Sequence, residues 1–346
     1  MKPQTYWQKR SEQLHNEQFK KTDKYIDSTL KREYDRAMTT IRRDIEVFYQ
    51  RFATNNEIDL AEARKLLNSD QLKEFKMSLE EFTDLAKNNP DGRWTQILNN
   101  VYYKVRVTRL QALQIQIEAA IQSVNMKQNE QMTELLGDIY TDTYYRTIFE
   151  IQKGLGMGTT FAKVGDVQKI VRQPWLEENF SKRIWKDNSK LVQQLQTLFT
   201  QSLIRGDSTD YTAKVIAERM GVGYRAAQRL VRTEASHIQN EASFAGYKAS
   251  GVVQQYEFLA TLDSRTSSMC RSMDNEVFTL AEKEIGVNFP PLHAYCRSTT
   301  VPYFDDEINP GERIARDSRG SYYVSGNMSY GEWIEKYVRK GEDSGG

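Results

Sequence analysis

The pattern that decides the fold class lies at residues 110–124, which read LQALQIQIEAAIQSV. The apolar residues recur at steps of three and four, with glutamines at several of the positions between them. This spacing places one apolar stripe along a single face of an α-helix. We interpret the stripe as part of the core of a helical bundle, with self-association through it as the alternative. The stripe consists of Leu110, Leu113, Ile117, Ile121 and Val124.

Helix-breaking residues are scarce around this stretch. Residues 1–150 contain only two prolines and two glycines, a composition that favours long helices. The triplet Pro90-Asp91-Gly92 predicts a turn between two helical hairpins, because proline presets one backbone dihedral and glycine accepts a positive φ. We therefore expect a helical N-terminal region over residues 1–152.

A glycine cluster at residues 154–158, GLGMG, interrupts the helical pattern. Its spacing differs from the G-x-G-x-x-G of dinucleotide-binding folds, and no P-loop lysine pattern follows it. We therefore expect a glycine-containing hinge over residues 153–174. Helical periodicity returns in a middle region, residues 175–250, where one face carries Leu191, Leu195, Leu198 and Phe199.

Two further helices are predicted within the middle region, from about Tyr211 to Met220 and from about Tyr224 to Ala249. The second is rich in alanine. Small side chains let neighbouring helices approach closely, so we expect this helix to be central.

The character of the chain changes after Gly251, since four of the seven prolines lie between residues 290 and 310. The runs VVQQYEFLATL, EVFTL and STTVPYF predict short strands in a small α+β unit over residues 251–306. A C-terminal tail, residues 307–346, carries a predicted strand at SYYVS and a predicted helix at SYGEWIEKYVRK. The expected fold class is mainly α, with helical N-terminal and middle regions and a small α+β C-terminal unit.

Composition limits the classes of function that the chain can have. Its 346 residues include 48 basic and 47 acidic side chains, for a net charge of +1. A protein that coats nucleic acid along its whole length is usually far more basic, so any DNA contact should be local. The N-terminal residues lack the apolar core of a signal peptide, and no run approaches the roughly 20 apolar residues of a membrane span. We therefore expect a cytosolic chain with no membrane contact.

The most distinctive segments read LATLDSRTSSMCRSMDNEVF and NFPPLHAYCRSTTVPYF. Within them, Cys270, His293 and Cys296 form a candidate metal half-site for a structural zinc ion, since thiolate and imidazole ligands suit zinc. The fourth ligand would be Asp263, Asp274 or water. Two packed thiols, or a disulfide formed in an oxidising medium, are the alternatives that need no metal.

Catalytic zinc is the least supported interpretation of these residues. Deaminase-type chemistry requires H-x-E and C-x-x-C, but His293 is followed by Ala-Tyr-Cys, and Ser267 stands where a pair with Cys270 needs cysteine. His15 and His237 lie in polar helical contexts, which are typical of surface or hydrogen-bonded histidines. Neither G-x-S-x-G nor H-E-x-x-H occurs. We therefore predict no catalytic residue and no enzyme activity.

Three arginines fall on one face of the alanine-rich helix, at steps of four and three. Arg225, Arg229 and Arg232 are candidates for binding DNA phosphates. The competing interpretation is that they form intramolecular salt bridges with acidic residues such as Glu234 and Glu241.

Four segments, in this order, resemble the phage head-morphogenesis family, the minor head proteins that include the F protein of phage Mu. They are QPWLEENFSKRIWKD, RLVRTEASHIQNEASFAGYKASGV, DSRTSSMC and PPLHAYCRSTTVPYF. The C-terminal tail is similar to versions in phages of Gram-positive bacteria. Some relatives carry C-x-x-C followed by H-x-x-C-x-C, whereas Ser267 and Ser298 replace two of those cysteines here. The candidate zinc site therefore has two fewer cysteine ligands than those relatives offer.

The resemblance implies a low-copy structural protein in the capsid interior near the portal, made in the host cytoplasm and active in procapsid assembly and DNA packaging or delivery. The implied partners are the portal protein, a scaffolding or major capsid protein, and phage DNA. Some relatives carry ADP-ribosyltransferase domains, for which the roughly 40 residues after VPYF are too few. An independent DNA-binding protein and a zinc-dependent enzyme are the alternatives. We expect a structural constellation to hold the α+β unit together: Asp263, Arg265, Thr266 and Arg297.

Overall fold

The computed structural model describes residues 2, 4–55, 104–156, 161–205, 207–261, 265–304, 314–317 and 320–323. Long helices dominate these residues, which confirms the mainly α fold class. A π-helical turn, Tyr25–Leu30, joins the first two helices. The helices are α1 (Gln4–Lys24), α2 (Lys31–Asn55), α3 (Lys104–Leu155), α4 (Val167–Val171), α5 (Phe180–Arg205), α6 (Thr209–Ser250) and α7 (Ser268–Ser272).

The strands follow α6, as the alternating patterns predicted. An antiparallel three-stranded sheet has the order β2-β1-β3, with β1 at Gln255–Leu259, β2 at Val277–Thr279 and β3 at Thr299–Tyr303. A separate antiparallel pair joins β4 (Ile314–Asp317) to β5 (Gly320–Tyr323). Strand β5 overlaps the predicted strand at SYYVS, but β4 was missed. The predicted C-terminal helix and the Pro90-Asp91-Gly92 turn lie outside the described residues.

The chain divides into two compact units, each assembled from separated segments. The first contains residues 1–28, 130–181 and 228–346, and the second contains residues 29–129 and 182–227. Helices α3 and α6 contribute residues to both units. The five regions proposed from sequence follow chain order, and their boundaries stay predictions.

The second unit buries the apolar stripe with which the sequence analysis began. Leu113, Ile117, Ile121 and Val124 are at most 3% exposed, and the side chain of Leu110 lies outside the described set. Leu191, Leu195 and Phe199 of α5 are buried in the same unit. The stripe therefore belongs to an internal core.

The first unit contains the sheet and the N-terminal helix. Helix α1 packs against β3, and the Trp7 indole is 2% exposed and lies against Gly154 of α3. A Cβ at Gly154 would lie 2.0 Å from the indole, so this glycine permits close packing within a helix. The buried core of this unit includes Trp7, Ile151, Leu155, Phe244, Tyr247, Val253, Tyr256, Phe289 and Val301.

One helix prediction was wrong. The two helices expected at Tyr211–Met220 and Tyr224–Ala249 form the single helix α6, which runs through Gly221 and Gly223. Glycine in a helix interior costs roughly 0.5–1 kcal/mol relative to alanine, which tertiary packing can offset. At Gly223 a side chain would meet buried Leu191 at 2.6 Å, so the glycine lets α5 approach α6 there.

The expectation that α6 is central is consistent with its long run of buried residues from Glu234 to Asn240. Within the part of the chain that the structure describes, we find no helix with the length and apolarity needed to span a bilayer.

Candidate metal centre

Short local structures bring the three candidate ligands together. The hydroxyl of Ser267 caps α7 by accepting from the backbone N–H of Cys270 at 3.2 Å. On the other side, the N–H of Cys296 donates to the carbonyl of His293 at 3.1 Å, in a tight loop before β3. The N–H of Tyr295 donates to Thr233 of α6 at 3.2 Å, which fixes that loop to the helix.

Strand β3 is itself fixed to α6 by buried polar contacts. The Asn240 amide N–H donates to the Ser298 carbonyl at 3.4 Å, and its amide oxygen accepts from the Thr299 hydroxyl at 3.2 Å. The Tyr247 hydroxyl donates to the carbonyl of Thr300 at 2.9 Å. The loop that carries Cys296 therefore leads into a strand of defined position.

The ligand atoms of Cys270, His293 and Cys296 lie within 4.8 Å of one another. The Cys270 sulfur is 3.7 Å from the Cys296 sulfur and 3.2 Å from His293 Nε2. Both cysteines are buried, against Phe258 and Ala260, while the histidine is partly exposed. Two buried soft ligands beside one imidazole can hold a cation that is partly screened from water.

A hydrogen bond between the two thiols dominates the electrostatics of the cluster. It lowers the pKa of Cys270 to about 5 and raises the pKa of Cys296. The hydroxyls of Ser267 and Ser298 and the His293 ring also lower the pKa of Cys270. One thiolate is therefore favoured near neutral pH, and the thiolate is the form that binds a metal.

Two of the three distances among the ligand atoms can be compared with those of tetrahedral zinc. Zn–S bonds of about 2.3 Å and Zn–N bonds of about 2.0–2.1 Å, at tetrahedral angles, put two sulfurs about 3.8 Å apart and a sulfur about 3.5 Å from a nitrogen. The sulfur–sulfur distance of 3.7 Å matches, and the distance of 3.2 Å from Cys270 Sγ to His293 Nε2 is somewhat shorter. Cys270, His293 and Cys296, whose ligand atoms lie within 4.8 Å of one another, are therefore candidates for three ligands of a structural zinc ion.

A serine hydroxyl lies next to the three candidate ligands. The hydroxyl of Ser267 lies 2.9 Å from His293 Nε2, on the cluster itself. Asp274, one fourth ligand considered from sequence, instead accepts from the Ala260 N–H at 2.8 Å and lies outside the group. Asp263 is not among the described residues. A zinc ion here would have three strong protein ligands, with a water or the weak Ser267 hydroxyl completing the set.

The arrangement also bears on the two alternatives without a metal. Cys270 and Cys296 are free thiols 3.7 Å apart, well beyond the roughly 2.05 Å of a disulfide bond. They also belong to a small buried cluster with Phe258 and Ala260, as packed thiols would.

Part of the predicted structural constellation is assembled around one loop. Thr266 donates to the carbonyl of Thr261, and the Thr261 hydroxyl donates to the carbonyl of Arg297 at 2.8 Å. The Arg297 guanidinium reaches the Thr266 hydroxyl at 3.5 Å. Arg265 is exposed. These contacts join the loop before α7 to the loop before β3.

The candidate DNA-binding arginines have different environments. Arg225 and Arg229 are exposed on α6. Arg232 instead binds Asp23 of α1 at 3.0 Å, and its guanidinium lies 5.9 Å from the centre of the Tyr295 ring. For Arg232 the structure therefore provides the intramolecular salt bridge considered as the alternative to DNA binding.

The acidic residues named as salt-bridge partners of these arginines make other contacts. Glu241 binds Lys283 at 2.6 Å. Glu234 is buried and accepts from the Trp175 indole at 2.7 Å.

Sequence reasoning missed two buried histidine environments. His237 is 6% exposed and stacks on Trp175, with ring centres 4.2 Å apart. His15 is 3% exposed, and its Nδ1 lies 3.0 Å from Gln239 Oε1. Polar neighbours concealed the burial in both cases: those of His237 are themselves buried, whereas Glu12, Gln13 and Asn16 beside His15 are exposed. A helical-face analysis of α1, on which Trp7 and Leu14 are buried, could have indicated His15.

Comparison with known proteins identifies the class to which this region belongs. The model of the family described as Phage Mu protein F like protein matches residues 193–301, a span that contains the second half of α5, all of α6 and the three candidate ligands. This match confirms the resemblance to the phage head-morphogenesis family, and that segment of the chain is a phage Mu F-like region.

One curated relative extends the similarity to a larger part of the chain. It is the NAD(+)--arginine ADP-ribosyltransferase EFV of Enterococcus faecalis (strain ATCC 700802 / V583), 24% identical over 256 residues. The alignment covers 69% of this chain and 51% of the relative, so the chain spans about half of that protein's length. No solved structure gave a significant match.

Proposed function

We propose that the chain is a minor head protein of a tailed phage, located in the virion and acting in procapsid assembly and in DNA packaging or delivery. The observation that carries this proposal is the family match over residues 193–301. This region contains part of the long helix α5, all of α6 and the three-stranded sheet. The proposed partners are the portal protein and a scaffolding or major capsid protein, with phage DNA as a further contact.

Co-expression with the cognate portal and scaffolding proteins tests the proposal. Particles would be isolated by size-exclusion chromatography, and their composition measured by quantitative mass spectrometry. We expect the chain in the procapsid fraction at far fewer copies than the major capsid protein. A chain that stays free while procapsids form without it would contradict the proposal.

We further propose that Cys270, His293 and Cys296 hold a structural zinc ion. The argument rests on the sulfur–sulfur and sulfur–nitrogen distances and on the burial of both cysteines. The ion would join α7 to the loop before β3, since Cys270 lies in the first element and His293 and Cys296 lie in the second. The ion would stabilise the fold and take no part in catalysis, because the sequence has no glutamate beside His293 that could transfer a proton.

The activity in the relative's name belongs to that protein. We propose a role without enzyme activity for this chain, consistent with the family match. Incubation of the purified chain with NAD⁺ and an arginine-containing acceptor should give no mass increase on the acceptor. Transfer of ADP-ribose at a rate above the uncatalysed background would overturn this part of the proposal.

A further inference from the structure

The fold brings the two cysteines of the chain into contact. The sequence contains only Cys270 and Cys296, which lie on either side of β2. Their sulfurs are 3.7 Å apart, and both thiols are free. Since the sequence holds no third thiol, an intramolecular disulfide of this chain has to join these two residues. Formation of the bond would shorten the sulfur–sulfur distance from 3.7 Å to about 2.05 Å.

Two short elements carry the sulfurs, so closure of a disulfide needs little rearrangement. Helix α7 has five residues, and the N–H of Cys296 ends a tight loop by donating to the carbonyl of His293 at 3.1 Å. Rotation about the Cα–Cβ bond of a cysteine moves its sulfur without moving the backbone. The sulfurs already meet in the buried cluster with Phe258 and Ala260, so no other side chain has to leave the gap.

The thiols are buried, but the two elements that carry them lie at the surface. Met269, the neighbour of Cys270 in α7, is 51% exposed. Tyr295, the neighbour of Cys296 in the loop, is 41% exposed. Local opening of short surface segments admits a reagent as small as hydrogen peroxide to groups that are buried in the closed state.

We propose that Cys270 and Cys296 form a redox switch, in which a hydroperoxide converts the two thiols to an intramolecular disulfide and a small thiol reduces the disulfide again. Cys270 reacts first, because its sulfur is 3.2 Å from the partly exposed His293 ring. Its sulfur attacks one peroxide oxygen and the O–O bond breaks. The leaving oxygen takes the thiol proton, and Cys270 becomes a sulfenic acid.

Cys296 completes the reaction. Its sulfur attacks the Cys270 sulfur, the S–O bond breaks, and the hydroxide leaves as water with the Cys296 thiol proton. The two sulfurs lose two electrons, which the peroxide gains. Hydrogen peroxide therefore gives one disulfide and two molecules of water. In the reverse direction two small thiols supply the electrons and protons and become a disulfide themselves.

The switch concerns the same site as the proposed zinc ion, and its biological setting rests on the proposed function. A disulfide offers no thiolate, so oxidation removes two of the three candidate zinc ligands and leaves His293. The cytosol, in which a head protein is made, keeps thiols reduced, whereas the medium outside the cell favours disulfides. The disulfide would then replace zinc as the link between α7 and the loop before β3 in the released particle.

The disulfide should also raise the melting temperature. It closes the loop between residues 270 and 296, which contains β2 and the core residue Phe289. A cross-link of this kind lowers the conformational entropy of the unfolded chain. We expect the oxidised chain to melt about 5–10 °C above the reduced, zinc-free chain.

Oxidation of the purified chain with hydrogen peroxide tests the proposal. The intact mass should fall by two hydrogen atoms and return after treatment with a dithiol. Trypsin should release residues 266–271 and 284–297 as one disulfide-linked species. Zinc bound beforehand should become available to a chromophoric chelator in proportion to the disulfide formed. The matched control is Cys296→Ser, whose remaining thiol should gain oxygen and lose no hydrogen.

Three results would overturn the switch: a disulfide-linked dimer on a non-reducing gel, oxidation of native Cys270 to a sulfinic acid, or an unchanged mass under conditions that oxidise a cysteine peptide. Zinc binding without disulfide formation contradicts the switch alone. Disulfide formation in a chain that held no zinc supports the switch and contradicts the zinc site. The variant His293→Ala separates the two, since it should lose zinc and still form the disulfide.

The biological setting is tested on particles that are alkylated before lysis. The chain should carry free thiols in procapsids and the disulfide in released virions. Free thiols in released virions would overturn the proposed setting. Particles that lack the chain altogether contradict the proposed function instead.

Discussion

At the scale of single residues, the proposed zinc site depends on which side chains could act as ligands. Cys270, His293 and Cys296 are the three candidates, and the Ser267 hydroxyl lies 2.9 Å from His293 Nε2. A serine hydroxyl is a far weaker zinc ligand than a thiolate. The affinity for zinc should therefore depend on residue 267 as well as on the cysteines.

Substitution of Ser267 by cysteine should add the missing thiolate. We expect Ser267→Cys to lower the zinc dissociation constant at least about tenfold, or about 1.4 kcal/mol, and Cys296→Ser to abolish stoichiometric binding. Competition with a chromophoric chelator measures both effects. The control is Ser272→Cys on the exposed end of α7, which should leave the affinity unchanged. If the native chain binds no zinc in this competition, whatever the chelator concentration, the proposed zinc site is wrong.

His15 should make stability depend on pH. Burial lowers its pKa to about 4, from an ordinary value of 6.5. As pH falls from 6.5 towards 4, the unfolded chain binds a proton at this residue while the folded chain does not. Stability is therefore lost, by about 2 kcal/mol between pH 7 and pH 5.

Urea denaturation at pH 7 and pH 5 measures this loss. The decrease should be about 2 kcal/mol smaller in His15→Gln, because glutamine does not titrate. If the free energy of unfolding decreases equally in both proteins, His15 binds a proton as readily in the folded chain as in the unfolded chain, which would contradict the prediction.

At the scale of helices and strands, close contact between α3 and α6 depends on glycine. A Cβ at Gly246 would lie 2.8 Å from Thr147 Cγ2 and 3.0 Å from Thr147 Cβ, in the buried interior of the first unit. Threonine is stiff at χ1, so this neighbour has little freedom to move away. The alanine-rich composition predicted such an approach but did not specify the position.

Two alanine substitutions in the same helix should have opposite effects. Gly246→Ala should destabilise the chain by about 1–3 kcal/mol through overpacking. Gly221→Ala should stabilise it by roughly 0.5–1 kcal/mol, because the nearest atom to the added Cβ, Arg225 Nη1, is 3.7 Å away and helix propensity improves. Urea midpoints of the two variants test this. If both substitutions raise the free energy of unfolding, α3 and α6 can move apart at Gly246 at little cost in free energy.

At the scale of the whole molecule, the first unit depends on segments that are far apart in sequence. The family match covers residues 193–301, yet the core around Tyr256 and Phe289 also contains Trp7, Ile151 and Leu155. Helix α1 therefore forms part of the same hydrophobic core as the sheet. A fragment limited to the family region would leave that core incomplete.

Loss of one N-terminal side chain should therefore destabilise the sheet. Trp7→Ala should cost about 3–5 kcal/mol, as is usual for a buried aromatic residue, and amide hydrogen exchange of β1 and β3 should accelerate accordingly. The matched control is Trp185→Ala: this residue is 42% exposed, so the change should be within about 0.5 kcal/mol. Unchanged protection of β1 and β3 in Trp7→Ala would mean that the sheet folds without α1.

The amino-acid sequence by itself determined the fold class, because helical and strand periodicities are local properties that a single segment displays. It also indicated Cys270, His293 and Cys296 as candidate ligands, since their residue types carry recognisable chemistry. Only the tertiary structure could show that the Ser267 hydroxyl lies 2.9 Å from His293 Nε2 and that Arg232 pairs with Asp23. It also decided that His15 is buried and that α6 continues through Gly221 and Gly223, because burial and close packing arise from contacts between segments distant in the chain.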